Sequence, residues 1–147
     1  MSLQWPIESL LPHSGPMVLI AEPAAYGENW AEASVRIAED TLFYELGRGV
    51  PSWIGLEYMA QTIALYAGIC DKIAGRAVKI GLLVGARRYK VNSEYFPLGS
   101  NLHVHVDEVW QDSQMAVFDC RIDRGKRLAE GKLNVYQPTN VAAFLET

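Results

Sequence analysis

The chain has 147 residues, of which 50% are hydrophobic and 20% are charged, and its formal net charge is −4 at pH 7. This length and composition are typical of one soluble globular domain with its own buried core, here residues 1–147. The negative charge argues against nucleic acid or an anionic membrane surface as a partner, and the lack of a long apolar run and of a secretory signal leads us to expect no membrane span and a cytoplasmic location.

The first 49 residues predict several short elements. Residues 6–11 indicate a short helix or turn that ends near Pro12. Residues 17–20 and 30–37 predict two strands, the second because apolar and polar residues alternate along it. Residues 41–50 predict a turn of helix followed by a loop.

Residues 50–70 predict one long helix. Pro51 suits the first helical position, where its missing N–H costs nothing, and Gly75 is a plausible helix stop. The segment is apolar almost all round, so we expect the helix to be buried rather than amphipathic.

The chain after residue 78 predicts a series of strands. Residues 78–89 and 102–107 indicate the first two. A third places Ala116, Phe118, Cys120 and Ile122 on one face, and a fourth places Leu133 and Val135 on one face. Turns at residues 97–100 and 123–126 space these strands like an antiparallel meander. The layout is therefore α+β, with one long helix and an antiparallel sheet.

Glu57 is the residue of greatest chemical interest, because it lies in an otherwise apolar helix. Its neighbours one turn away are Trp53, Ile54, Ala60 and Gln61, and no lysine or arginine is within one turn. A buried carboxylate without a partner takes up a proton, and a carboxylic acid is a proton donor. Either Glu57 is a general acid, or the helix lies at a surface or subunit seam where Glu57 meets a distant arginine. Gln61 is placed to orient the carboxyl group.

His13 is the natural partner to seek for this acid. It lies between Pro12 and Pro16, in a stiff turn that suits a positioned base and a structural role equally well. The His, Cys, Asp and Glu residues show no metal-ligand spacing, so no metal site is expected. Cys70 and Cys120 are interpreted as buried thiols.

The start of the helix is a second candidate feature. Its first N–H groups and the positive end of the helix dipole favour negative charge. A thioester carbonyl placed there would have its developing enolate oxygen stabilised. Ser52 and Trp53 are the candidate N–H donors, because Pro51 has no N–H.

Two motifs resemble the 3-hydroxyacyl-carrier-protein dehydratases. Residues 51–61 (PSWIGLEYMAQ) resemble the central-helix motif of that family, in which an acid follows six residues after the proline that opens the helix. Residues 10–20 (LLPHSGPMVLI) are similar to its Leu-Pro-His segment, and residues 95–102 to the turn before its long strands. The resemblance is closest to the dehydratase subunit of bacterial aryl-polyene pathways, which are type II polyketide-like systems. It implies the hot-dog fold, in which an antiparallel sheet wraps around one long central helix.

The chain departs from the family pattern at one catalytic position. The usual catalytic histidine stands fourteen residues before the acid, and that position is Phe43 here. No histidine occurs between residues 14 and 102, and the usual Pro-Gly opening of the helix is Pro51-Ser52. Either His13 serves as the base from a different loop, or this subunit supports an active partner.

The resemblance also implies a substrate and a reaction. A 3-hydroxyacyl chain on an acyl carrier protein would lose its C2 proton to His13 while Glu57 protonates the departing 3-hydroxyl, leaving a trans-2-enoyl thioester. No cofactor is implied beyond the phosphopantetheine arm of the carrier.

Five further residues each have two possible roles. Ile54, Met59 and Leu83 either line the acyl path or pack in the core. Arg87 and Arg88 either meet the phosphate of the pantetheine arm or the acidic carrier, or are ordinary solvated arginines.

Hot-dog domains pair so that two sheets join, which leads us to expect a homodimer or a heterodimer with a second hot-dog subunit. Two alternative functions stay open at this point: a thioesterase of the same fold, and a non-catalytic subunit of a dehydratase.

Overall fold

The computed structural model describes residues 1–12, 15–78 and 83–136 of the chain. One α-helix, α1, spans Gly55–Ile73 within these residues. Short 3-10 turns cover Ile7–Ser9, Gly15–Met17 and Ser52–Ile54. The strands are β1 (Ala21–Tyr26), β2 (Trp30–Arg36), β3 (Val50–Pro51), β4 (Leu83–Val91), β5 (Tyr95–Phe96), β6 (Asn101–Gln111), β7 (Met115–Asp123) and β8 (Arg127–Tyr136).

Six strands form one antiparallel sheet in the order β1-β2-β6-β7-β8-β4, and β3 pairs with β5 in a separate ladder. Helix α1 packs mainly on β2, β6 and β7, at the middle of the sheet. The sheet therefore covers the helix as the α+β prediction required, and the hot-dog architecture is confirmed. In the part of the chain that the structure describes, no helix is both long and apolar enough to cross a membrane.

The core lies between α1 and the inner face of the sheet. Every second residue is buried there within residues 102–106 of β6 and 118–122 of β7, and β8 contributes the two residues predicted for it: Leu102, Val104, Val106, Phe118, Cys120, Ile122, Leu133 and Val135. The alternation read from the sequence thus identifies the inner face of these strands correctly, since side chains along a strand point to opposite faces in turn.

The strand predicted at residues 17–20 is wrong. Gly15–Met17 form a 3-10 turn, and the first strand is β1, which begins only at Ala21. The backbone N–H of Leu19 donates to Oε1 of Gln61 at 2.9 Å, so a side chain on the helix takes the place of a strand neighbour. Residues 41–49 likewise form turns and a Glu45–Gly49 bridge instead of a helical turn.

The helix begins later than its sequence predicts. Pro51 has an extended conformation (ψ 132°) and pairs with Tyr95 in the β3–β5 ladder, so it is not the first helical residue. Gly49 precedes it with φ +115°, and a Cβ there would collide with the carbonyl oxygen of Phe96. This close approach keeps the chain in the ladder until the 3-10 turn begins. The helix end is as predicted, because Gly75 follows it with φ +73°.

Strand β4 contains a bulge at Arg87. Ala86 pairs with Leu133 and Arg88 with Lys132, so one residue of β4 has no counterpart on β8. Directly paired residues lie on one face, so Ala86 and Tyr89 are both on the inner face although three positions separate them.

The backbone of the helix lies close to the N-terminal segment at Gly68. A Cβ at this position would collide with the carbonyl oxygen of Leu10, whose own residue is fully buried. Replacing glycine by alanine ordinarily stabilises a helix by about 1 kcal/mol. Here we expect Gly68→Ala to lower the free energy of unfolding by about 2 kcal/mol, because backbone must move to admit the methyl group. Urea denaturation measures this change.

Gly85→Ala is the matched control, because a Cβ at Gly85 meets no atom within 4 Å. It should leave the unfolding midpoint almost unchanged. A Gly68→Ala variant more stable than the wild type would contradict the close packing of the N-terminal segment on the helix.

Candidate active site

Glu57 is the third residue of α1 and lies in its first turn. The sequence placed it about two turns into the helix, and the later helix start accounts for the difference. The side chain is half-buried, and a carboxylate in the first turn interacts favourably with the helix dipole.

Gln61 connects Glu57 to the N-terminal segment. Its side chain is fully buried, and its Nε2 donates to Oε1 of Glu57 at 3.3 Å and to the carbonyl of Met17 at 2.7 Å. Its Oε1 accepts the bond from the N–H of Leu19. The predicted contact between Gln61 and the acid is therefore present. The same amide also fixes the backbone of residues 17–19 beside it.

His13 lies outside the described residues, but the residues on either side of it are anchored on α1. Leu10 packs its backbone against Gly68, and Met17 is bonded to Gln61. The segment that contains the Leu-Pro-His motif is thus attached to the helix at two points, and the second of these is next to Glu57.

One of the two predicted N–H donors at the helix start already has a partner. The N–H of Ser52 donates to the carbonyl of Glu94 at 2.8 Å, so it is already engaged and does not face a ligand. Trp53 follows within the same 3-10 turn, where a backbone N–H has no acceptor inside the helix. Its side chain is 65% exposed and lies beside Phe43, with 6.4 Å between ring centroids.

The predicted acyl-path residues lie in the core where the structure describes their side chains. Ile54 and Met59 are buried, and neither lines either of the two cavities considered below. Leu83 begins β4, and its side chain is outside the described part. Arg87 and Arg88 are exposed on the same strand.

Two cavities lie away from Glu57. One of about 450 Å³ borders the second half of α1 and includes Tyr66, Cys70 and Glu108, where burial raises the pKa of Glu108. The other, of about 540 Å³, is a charged groove on the outer face of the sheet that includes Arg88. No group of three or more potential metal ligands occurs among the residues described.

Two tyrosines near the helix start were not singled out by the sequence. The hydroxyl of Tyr89 donates to the carbonyl of Ser52 at 2.6 Å. Tyr58 is fully buried beside Phe96, with 6.1 Å between ring centroids, and burial raises its pKa to about 12. Tyrosines of this kind carry no local motif, and the bulge at Arg87 hides the inward orientation of Tyr89 from a simple alternating pattern.

These features define a class of protein. An antiparallel sheet around one long helix, with a carboxyl group near the start of that helix, is the arrangement that the resemblance to hot-dog dehydratases implied. A match to the ApeP dehydratase family over residues 5–146 makes this specific: the chain belongs to that family, and it is a dehydratase, that is, a hydro-lyase. The resemblance to the aryl-polyene dehydratase subunit is thereby confirmed.

Solved structures agree with this assignment. A chain of the dehydratase heterocomplex ApeI:P from Xenorhabdus doucetiae has a TM-score of 0.88 and 28% sequence identity, covering 98% of this chain and 97% of that one. The PaaI protein of the E. coli phenylacetic acid degradation operon has a TM-score of 0.57 and 14% identity, covering 77% of this chain and 79% of that one, and shares the fold alone. No sequence among curated proteins matches the chain.

Proposed function

We propose that this chain dehydrates 3-hydroxyacyl groups carried on an acyl carrier protein, as a subunit of an aryl-polyene synthesis system. The observation that carries the proposal is the position of Glu57, in the first turn of the central helix of an ApeP-family dehydratase and hydrogen-bonded to Gln61. No cofactor is needed other than the phosphopantetheine arm of the carrier.

In the proposed reaction, His13 takes the proton from C2 of the acyl thioester. The electron pair of that C–H bond forms the C2=C3 double bond, the C3–O bond breaks, and Glu57 gives its proton to the departing hydroxyl. Water and a trans-2-enoyl thioester are the products. The proton gained by His13 and the one lost by Glu57 are exchanged with solvent before the next turnover.

Chain geometry supports His13 as the base. Met17 is bonded to Gln61, and Gln61 to Glu57. His13 is four positions before Met17, and an extended chain covers at most about 3.6 Å per residue, so the two Cα atoms are within about 14 Å of each other. Met17, the described residue on this side of His13, is therefore held on the helix beside the acid.

We further propose that a second hot-dog subunit completes the site. Neither described cavity encloses Glu57, and three large apolar side chains are exposed on the loop before the helix and at its start: Phe43, Leu46 and Trp53. Strand β4 is a long, exposed edge of the sheet, and such edges are normally covered. The similar ApeI:P chain is itself part of a heterocomplex.

Arg87 and Arg88 on this exposed strand are proposed to contact the phosphate of the pantetheine arm or the acidic carrier, because a guanidinium group binds phosphate and carboxylate in a bidentate way. Their exposure supports this role.

The test is incubation with a 3-hydroxyacyl carrier protein, with the chain alone and together with a second dehydratase subunit, followed by mass spectrometry. We expect loss of one water from the acyl group, and light scattering after size exclusion should show a dimer or a larger assembly at micromolar concentration. Release of a free acid and thiol would identify a thioesterase instead. A protein that is monomeric under both conditions would contradict the shared site.

A further inference from the structure

The peptide group between Ser52 and Trp53 is held in one orientation. The carbonyl oxygen of Ser52 accepts hydrogen bonds from the Tyr89 hydroxyl at 2.6 Å and from the backbone N–H of Gly55, and the N–H of Ser52 donates to the carbonyl of Glu94. That carbonyl and the N–H of Trp53 belong to the same planar trans peptide, so they point in opposite directions. The two bonds that hold the carbonyl therefore also fix the direction of the Trp53 N–H, and Tyr89 supplies the one that comes from a side chain.

The position of the Tyr89 hydroxyl depends on two features of the fold. The bulge at Arg87 brings Tyr89 onto the inner face of the sheet, toward the helix start. Gly55 provides the space for the Tyr89 hydroxyl, because a Cβ at position 55 would collide with the Tyr89 oxygen. Burial raises the pKa of Tyr89, so the phenol stays protonated and remains a donor.

We propose that Tyr89 is a positioning residue, which orients and strengthens the Trp53 N–H as the hydrogen-bond donor to the thioester carbonyl of the substrate. This inference rests on the proposed function. Removal of the C2 proton moves negative charge onto the thioester oxygen, and a preorganised N–H stabilises that charge. Hydrogen bonds in a chain polarise one another, so a donor on the Ser52 carbonyl makes the N–H of the same peptide a better donor.

Tyr58 provides a matched control for Tyr89. Its hydroxyl is buried and has no hydrogen-bond partner among the described residues. Tyr58→Phe and Tyr89→Phe remove the same atom from a buried and a half-buried tyrosine close to the helix start, but only the second removes a hydrogen bond.

The experiment compares these two variants in the full-length chain, assayed with a second dehydratase subunit. We expect Tyr89→Phe to lower kcat and kcat/KM together by about tenfold, because the lost interaction strengthens only in the transition state. Tyr58→Phe should retain the wild-type values. Thermal unfolding of both variants identifies any change that comes from stability.

Infrared spectroscopy gives the readout that a merely structural role would not change. The probe is a trans-2-octenoyl pantetheine thioester labelled with ¹³C at its carbonyl. Its carbonyl band should shift to lower frequency on binding to the wild type and to Tyr58→Phe, and this shift should be smaller in Tyr89→Phe, where only the Gly55 N–H still holds the Ser52 carbonyl. Gly55→Ala, which keeps the phenol but displaces its oxygen, should also reduce the shift.

The outcomes separate this inference from the proposed function. A shifted band in the wild type that Tyr89→Phe leaves unchanged would overturn the role of Tyr89, as would an unshifted band in the wild type. A shifted band that Tyr89→Phe reduces, in a protein that never dehydrates the 3-hydroxyacyl substrate, would support the role of Tyr89 and overturn the proposed reaction.

Discussion

Glu57→Gln is expected to lower kcat for dehydration by about 10³-fold, because the amide cannot deliver a proton to the departing hydroxyl. The substitution keeps the shape of the side chain and a carbonyl oxygen that can accept the bond from Gln61 Nε2. The fold should therefore be retained, and the loss should be chemical. Steady-state turnover of a 3-hydroxyacyl carrier protein, with product identified by mass spectrometry, measures it.

Glu8→Gln is the matched control, since Glu8 is exposed in the 3-10 turn near the N-terminus. It should leave kcat unchanged, and both variants should unfold at the wild-type temperature. Wild-type activity after Glu57→Gln, and again after His13→Ala, would show that this chain supports an active partner without contributing to the chemistry. The presence of Phe43 at the usual histidine position makes that result informative.

Gln61→Leu is expected to cost about 2–4 kcal/mol of stability, because the leucine leaves the carbonyl of Met17 and the N–H of Leu19 without their partner. Activity should also fall by more than the folded fraction explains, since the amide that contacts Glu57 is lost. Urea denaturation and kcat, measured on the same preparation, separate the two effects.

Gln4→Leu is an exposed control for the same chemical change and should alter the unfolding free energy by less than about 0.5 kcal/mol. If Gln61→Leu were as stable as the wild type, the three hydrogen bonds of Gln61 would make no net contribution, and the N-terminal segment would have to be held by apolar packing alone.

The part of the fold that the sequence predicts well is the part whose pattern is local. Alternation in β6 and β7 identifies their buried faces, and the apolar run around Met59 predicts a buried helix. The errors at residues 17–20 and at Pro51 arise where distant groups decide the backbone: the Gln61 side chain in one case and the β5 ladder in the other.

The residues of the candidate site also differ in whether a local sequence pattern reveals them. Glu57 stands out because its helix is apolar, and Gln61 follows from helical spacing, four residues being about one turn. The engagement of Ser52 by Glu94 and by Tyr89 joins residues that are 42 and 37 positions apart, so no local pattern reveals it. It is a property of how the helix start lies between β4 and the β3–β5 ladder.

The bulge in β4 leaves Arg87 without a counterpart on β8, while the pairs on both sides of it keep their inward side chains. If residue 87 were deleted, Ala86 would stay opposite Leu133 and Tyr89 opposite Gly131 in a regular ladder, so the inner face of the sheet would be kept and only the local bend would be lost. We therefore expect an alignment gap at residue 87 to be compatible with a tyrosine at position 89 among relatives of this chain.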